Sequence, residues 1–187
     1  MAESPPVATE EPGDLDLIAR WRAGDERAAT VLVERHAPAL ARFVASVVGR
    51  DRSEVDEVVQ DTFVRAFGGI DGFRGESAFR TWLFTIARRL VVDRRRAAKR
   101  RPEAVEVQDD DVATEYDPLH TLVAEEMEAR LRRAVDRLTP TQREVFTLRI
   151  SEGLGYREIA EVVGTTEGAA RVHYHNAMRA VKESLDA

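Results

Sequence analysis

A chain of 187 residues with a formal charge of −6 and no cysteine allows one large domain or two small ones, and it excludes a disulfide scaffold, a thiolate nucleophile, a zinc–cysteine site and a built-in thiol redox sensor. The net acidity argues against a protein that coats nucleic acid indiscriminately. No apolar run approaches the roughly 20 residues of a membrane helix, and Met1 to Pro12 is acidic and proline-containing rather than a signal peptide, so a soluble cytoplasmic protein without membrane contact is expected.

In chain order, residues 1–13 have the composition of a disordered tail. Asp14 is placed to cap a short helix through Trp21. Gly24 and Asp25 restart the chain in a longer helix, with His36, Leu40, Phe43, Val44 and Val47 at helical spacing and a kink or break expected at Pro38. His36 on that face reads as a packed histidine rather than a ligand. Ser53 opens another helix, in which Val55, Val58, Val59, Thr62, Phe63, Ala66 and Phe67 form the buried stripe. Asp56, Glu57, Gln60, Asp61 and Arg65 lie towards the other side, and by pattern alone such a face is solvated.

Residues 68–75, with four glycines in eight, make a loop that carries Phe73 and Arg74. Ser77 is expected to cap the long helix that follows. Phe79, Trp82, Leu83, Ile86, Ala87, Leu90 and Val91 are its core stripe, and that position assigns Trp82 to the core. Arg80, Thr81, Thr85, Arg88 and Arg89 point elsewhere. Eight basic residues against the single Asp93 lie between Arg88 and Arg101. An aromatic loop leading into a basic helix suits single-stranded nucleic acid, with arginine on phosphates and bases stacked or inserted. The plainer alternative is a core helix with a soluble basic end.

Pro102 stops that helix. Ten acidic residues and no lysine or arginine follow between Glu103 and Glu128, and the stretch to Pro118 reads as a linker between domains. Leu119 to Leu138 resumes helical spacing with Leu122, Met127, Leu131, Ala134, Val135 and Leu138 apolar. Thr139-Pro140-Thr141-Gln142 is a capping box with proline at the first helical position. The next helix runs from Gln142 to about Ile150, with Val145, Phe146 and Ile150 expected inward. Gly155 to Arg179 then reads as two helices around a tight turn. Ile159, Ala160 and Val163 face inward on the first, Gly164 breaks it, and Thr165 and Thr166 offer capping hydroxyls. On the second, Ala170, Tyr174, Ala177, Val181 and Leu185 make the core stripe, and Gly168, Val172, His175, Asn176 and Arg179 the outer face. That pattern fits a helix-turn-helix with its second helix in a DNA major groove.

Three stretches in series, DEVVQDTFVRAF, FRGESAFRTWLFTIARRLVVDRRR and LTPTQREVFTLRISEGLGYREIAEVVGTTEGAARVHYHNAM, closely resemble the extracytoplasmic-function sigma factors, the minimal bacterial sigma class with only regions two and four. The resemblance covers nearly everything from Asp14 to Leu185. It implies an all-α protein of two small helical domains joined by an acidic linker: a tail over 1–13, region two over 14–101, the linker over 102–124 and region four over 125–187. It implies a transcription initiation factor that needs no cofactor or metal and has no catalytic residue, since the polymerase performs nucleotide transfer.

The partners implied are core RNA polymerase, through the beta prime clamp helices and the beta subunit, promoter DNA, and an anti-sigma factor. By resemblance, Asp56, Glu57, Gln60, Asp61 and Arg65 match the polymerase surface. Phe73, Arg74, Ser77, Ala78, Phe79 and Arg80 match the surroundings of an extruded minus-ten base, with Arg88 and Arg89 on the strand's phosphates. Ala169, Arg171, Val172, His173, His175 and Arg179 fall where the family meets the minus-thirty-five element. Family members often place serine then arginine where this chain has Val172 and His173. Valine can touch a thymine methyl but cannot hydrogen-bond, so the resemblance does not carry over a promoter sequence. The acids Asp109, Asp110, Asp111, Glu115 and Asp117 would mimic RNA charge in the polymerase channel.

Other classes fit less of the chain. His173 and His175, two apart on a helix, point to different faces and do not make the usual helical metal pair. An ordinary helix-turn-helix regulator would bind a specific duplex unaided, usually as a dimer on a palindrome. An interaction-only adaptor would leave the glycine loop and basic helix without purpose.

Overall fold

The computed structural model describes residues 11–49, 51–100 and 120–186, and among these every regular element is helical. The tail up to residue 10 and the acidic run at 109–117 lie outside the described residues. The helices are α1 (Asp14–Arg22), α2 (Glu26–Val48), α3 (Arg52–Gly68), α4 (Phe79–Arg100), α5 (His120–Asp136), α6 (Pro140–Ile150), α7 (Tyr156–Val163) and α8 (Glu167–Asp186), with a 3-10 turn at Ile70–Gly72.

Local chemistry sets the helix starts. Asp25 caps α2 by accepting from the Arg27 N–H at 3.1 Å. The Arg20 guanidinium hydrogen-bonded to Asp25 holds its carboxyl below the usual carboxylate range. Asp51 caps α3 through the N–H groups of Ser53 and Glu54, so Ser53 sits inside the first turn rather than opening it. Asp14 does not cap α1. Gly13 holds that position, and the Asp14 carboxylate turns instead to α2, to Arg35 at 2.7 Å and His36 Nε2 at 2.9 Å. His36 is buried as the sequence implies, and Asp14 satisfies its ring nitrogen. The first helical bond of α4 runs from the Trp82 N–H to the Ala78 carbonyl, which puts Ala78 rather than Ser77 at its cap.

Pro38 does not break α2, which runs on to Val48. Proline removes one backbone hydrogen bond, but Leu32 and His36 before it and Leu40, Phe43 and Val44 after it are buried on one stripe. That shared burial holds the two halves in one register.

In the second half, the Thr139 capping box forms as its sequence dictates, with Gln142 N–H to Thr139 Oγ1 and Thr139 N–H to Gln142 Oε1. The helix therefore begins at Pro140, two residues before Gln142. Its inward side carries Val145 and Phe146 but not Ile150, which is 53% exposed. Glu144, Thr147 and Leu148 are buried in its place, because α6 meets α2 as well as α7 and α8. On α5, Ala134 is buried, as is Leu138 just beyond its end, while Met127 and Leu131 lie exposed. Gly164 ends α7 in the left-handed region at φ 69°, ψ 46°, where a side chain would be strained. Thr166 Oγ1 then accepts from the Ala169 N–H at the start of α8.

Helices α1–α4 form one packed unit around α2, and α5–α8 a second around α6 and α8. The two units touch. Helix α7 lies against α4 and α6 against α2, and a single buried cluster runs from Leu17, Phe43 and Phe84 through to Val145, Leu148 and Ile159. A separate small cluster of Ala134, Leu138, Phe146, Ala177 and Val181 closes the far side of the second unit.

Candidate nucleic-acid interface

The loop between α3 and α4 is tethered from below. Arg22 of α1 donates to the Ile70 carbonyl at 2.5 Å and the Phe73 carbonyl at 3.0 Å. Phe73 is buried although its loop is rich in glycine. Its ring meets Phe79 edge-on at 5.5 Å and Trp82 at 5.1 Å, and Phe79 lies 5.8 Å from Trp82. Against this aromatic cluster opens a cavity of about 390 Å³, lined by Gly72, Phe73, Arg74, Glu76, Ser77 and Trp82 of the first unit and by Glu161 of α7. A wider recess of about 690 Å³ brings Ser77, Ala78 and Phe79 beside residues 13–16. The expected residues thus divide: Phe73, Arg74 and Ser77 line the cavity, Ala78 and Phe79 the recess, and Arg80 sits half-buried at the start of α4. Trp82 is only half-buried and lines the cavity, so its stripe position did not commit it wholly to the core. Its spacing of three from Phe79 was the available signal. Glu161 had none, since only tertiary packing brings it there.

The basic helix is less free than its sequence suggests. Arg89 is exposed, but Arg88 Nε donates to Glu144 Oε2 of α6 at 2.8 Å. Thr81, fully buried on the same helix, donates to Glu158 Oε1 of α7 at 3.0 Å. Glu158 also accepts from the Gly155 N–H at 2.9 Å, so one carboxylate starts α7 and fastens it to α4.

On α3, Asp56, Glu57, Gln60 and Arg65 are exposed and Asp61 half-buried. Arg94 of α4 reaches Asp61 at 2.8 Å and Glu57 at 3.2 Å, fixing two of these acids in place. Val64 stands 64% exposed on the face that Glu57, Gln60 and Asp61 share at helical spacing, an apolar contact point outside the buried stripe.

On α8, Arg171, Val172, His175 and Arg179 are exposed, and Ala169 and His173 half-buried. Arg171 is held by Glu167 at 3.0 Å and lies 5.0 Å from the centre of the Tyr156 ring, with Arg149 at 4.9 Å from the same ring. Tyr156 in turn packs edge-on to Tyr174 at 5.9 Å. Among the described residues no group of three or more histidine or acidic side chains is gathered to hold a metal. No described helix is long and apolar enough to cross a membrane.

Residues 32–101 match the family model for Sigma-70 region 2, and residues 128–181 that for Sigma-70, region 4. The chain is 30% identical over 182 residues to the ECF RNA polymerase sigma-E factor of Haemophilus influenzae, covering 92% of this chain and 95% of that protein. It is 31% identical over 181 residues to the RNA polymerase sigma-H factor of Pseudomonas aeruginosa, covering 92% and 93%. Among solved structures, CnrH in complex with the cytosolic domain of CnrY matches with a TM-score of 0.67 and 30% identity over 92% of this chain and 97% of that one. The sigma factor RpoE of Bartonella quintana, in complex with the anti-sigma factor NepR, shares the fold with a TM-score of 0.70 at 23% identity, over 84% of this chain and 96% of that one.

Proposed function

This chain belongs to the extracytoplasmic-function sigma factors of the sigma-70 family, which direct RNA polymerase to promoters, and we propose how its surfaces divide that work. Region two spans 14–101 and region four 125–187, with 102–124 as the tether. The α3 face of Asp56, Glu57, Gln60, Asp61 and Arg65, with Val64 beside them, docks on the beta prime clamp helices. An exposed valine among fixed acids gives an interface both an anchor and a register. Region four contacts the beta subunit.

The cavity beside Phe73 and Trp82 receives the base extruded from the minus-ten element, with Arg74 and Ser77 at its rim and Ala78, Phe79 and Arg80 shaping the loop's exit. Unstacking costs a few kcal/mol per base, and an aromatic wall returns part of it by stacking. Arg88 and Arg89 take the strand's phosphates. On α8, Ala169, Arg171, Val172, His173, His175 and Arg179 meet the minus-thirty-five element. The observation that carries this reading is the cavity itself, built by the glycine loop at the head of the basic helix. The chain acts in the bacterial cytoplasm and performs no chemistry of its own. CnrH is known in complex with CnrY, and a comparable anti-sigma protein is the expected regulator here.

Run-off transcription with core polymerase on a library of random promoters tests the reading. Transcripts that start at a shared sequence only when this chain is added are expected. Tight binding of intact duplex by the chain alone, without transcripts, would assign it to ordinary regulators instead.

A further inference from the structure

Phe79 meets both rings of the cavity wall, Phe73 edge-on at 5.5 Å and Trp82 at 5.8 Å. A third ring, His36 of α2, also lies edge-on to it, at 5.5 Å and 70°. His36 is 7% exposed, and its Nε2 stands 2.9 Å from Asp14 Oδ2. A carboxylate only accepts, so the proton of this bond sits on Nε2. The other oxygen, Oδ1, accepts from Arg35 Nη1 at 2.7 Å, and Arg35 Nη2 donates to the Pro12 carbonyl at 3.0 Å. Two successive residues of α2 thus pin one carboxylate at the start of α1, and that carboxylate pins the imidazole. Asp14 and Phe79 line the same recess, and His36 joins them, bonded to one and packed on the other.

Filling space does not call for a histidine here. A leucine on this buried stripe would avoid the desolvation of a polar ring and leave no donor to satisfy. What the hydrogen-bonded pair adds is direction. An apolar side chain can change rotamer within a core, whereas Nε2 has one acceptor to meet, and so the plane of the imidazole is set from α1. Packing between rings depends on their mutual orientation. A turned imidazole is therefore passed on as a turned Phe79, and from Phe79 to Phe73 and Trp82.

We propose that His36, oriented by Asp14, is a positioning residue for promoter opening. It holds Phe79, and through Phe79 the Phe73–Trp82 wall, in the attitude that accepts an extruded base, while itself touching neither DNA nor polymerase. The proposal rests on the assignment of the cavity to the minus-ten base. Its consequence is that Asp14 and His36 act as one unit in the opening step and are silent in core binding.

Trp82 reports on the wall directly. The chain has two tryptophans, and Trp21 packs on Phe67 and is not among the residues of the cavity. Trp21→Phe therefore leaves Trp82 as the sole indole emitter of the full-length chain. In that background Asp14→Ala and His36→Leu are each expected to raise the quenching of Trp82 by acrylamide. With saturating core polymerase each should slow opening about tenfold, read by permanganate reactivity of promoter thymines, and leave core affinity where it was. The double variant D14A/H36L should be no slower than either single one, because each loss alone already frees the same ring. His36→Gln, which keeps an N–H donor for Asp14, should recover part of both readouts. A residue that merely fills space would be better served by leucine than by glutamine. Asp14→Ala alters a side chain that is 25% exposed, and it carries the test with His36→Gln if circular dichroism finds His36→Leu unfolded.

Unchanged quenching of Trp82, equal losses of core affinity and opening rate, losses that multiply in the double variant, or a leucine variant that outperforms glutamine would each overturn the proposal. Quenching that rises as expected while opening keeps its wild-type rate would overturn it differently, by removing the cavity from the opening step and with it the functional reading beneath.

Discussion

The indole of Trp82 lies 5.1 Å from the ring of Phe73, tilted at 40°, and both line one cavity at the head of α4. Phe73 is locked in place by burial, whereas Trp82 keeps part of its surface towards the opening. If the cavity takes the extruded base, the indole is its stacking partner. Trp82→Ala is expected to slow promoter opening about tenfold, within the roughly 1–3 kcal/mol that aromatic stacking contributes per base. Trp82→Phe should retain most of the rate. Permanganate reactivity of promoter thymines reads the opening, and core binding serves as the control that should not move. Normal opening by Trp82→Ala would take the cavity out of the mechanism.

The same reading gives Arg22 an expected part in this step without contact to DNA. Its guanidinium spans the carbonyls of Ile70 and Phe73 and approaches Asp71 at 3.7 Å, so it fixes the backbone that presents the cavity rim. Arg22→Ala leaves two carbonyls short of a charged donor and frees the loop. The expected result is slower opening at saturating polymerase with unchanged affinity for core. Arg22→Lys, a single point donor in place of a planar fork, should recover only part of the rate. Equal losses in core binding and opening would mark Arg22 as merely structural.

What the sequence made legible follows from where its signals are local. The capping box at Thr139, the glycine stop at Gly164 and the stripe from Ala170 to Val181 each depend on neighbours within a turn or two, and the structure has them where the spacing puts them. The starts that moved, at Asp14, Ser53 and Ser77, moved by a residue or two: Asp51 caps in place of Ser53, Arg35 and His36 take the Asp14 carboxylate, and the first bond of α4 closes on Ala78. Pro38 misled because a helix buried along its length tolerates one missing hydrogen bond. Glu144 in a helix and Glu152 in a turn could not be read as buried, since a carboxylate looks solvated until its arginine, 56 or 110 residues away, is known. The burial of Phe73 was not legible for the same reason: its partners Phe79 and Trp82 belong to the next helix. The candidate DNA residues were legible as types and faces, but which of them a second unit covers was not.

The α3 face yields a prediction about register. Arg94 grips Asp61 and Glu57 from the neighbouring helix, and Val64 stands clear beside them. If this face docks on polymerase, Val64→Asp places a charge at its apolar centre and should weaken core binding more than tenfold, as truncating a central anchor does. Arg94→Ala should weaken it less, because the acids remain but lose their fixed orientation. Fluorescence titration of labelled chain with core polymerase separates the two. An undiminished affinity for Val64→Asp would move the docking surface elsewhere.

Val172 bears on upstream recognition. It stands 58% exposed on α8, one residue beyond Arg171, whose guanidinium is committed to Glu167 and the Tyr156 ring. With no hydrogen-bonding group, Val172 can discriminate bases only through apolar contact, and the thymine methyl is the apolar feature of the major groove. Replacing thymines of the minus-thirty-five element one at a time by uracil removes that methyl and little else. One position should lose about 0.8 kcal/mol, roughly fourfold in holoenzyme affinity, the worth of one buried carbon. In Val172→Ala the loss at that position should shrink towards nothing while the other positions respond as before. A uracil scan that is flat for the wild type, or one that Val172→Ala leaves unaltered, would show that the valine does not read the element.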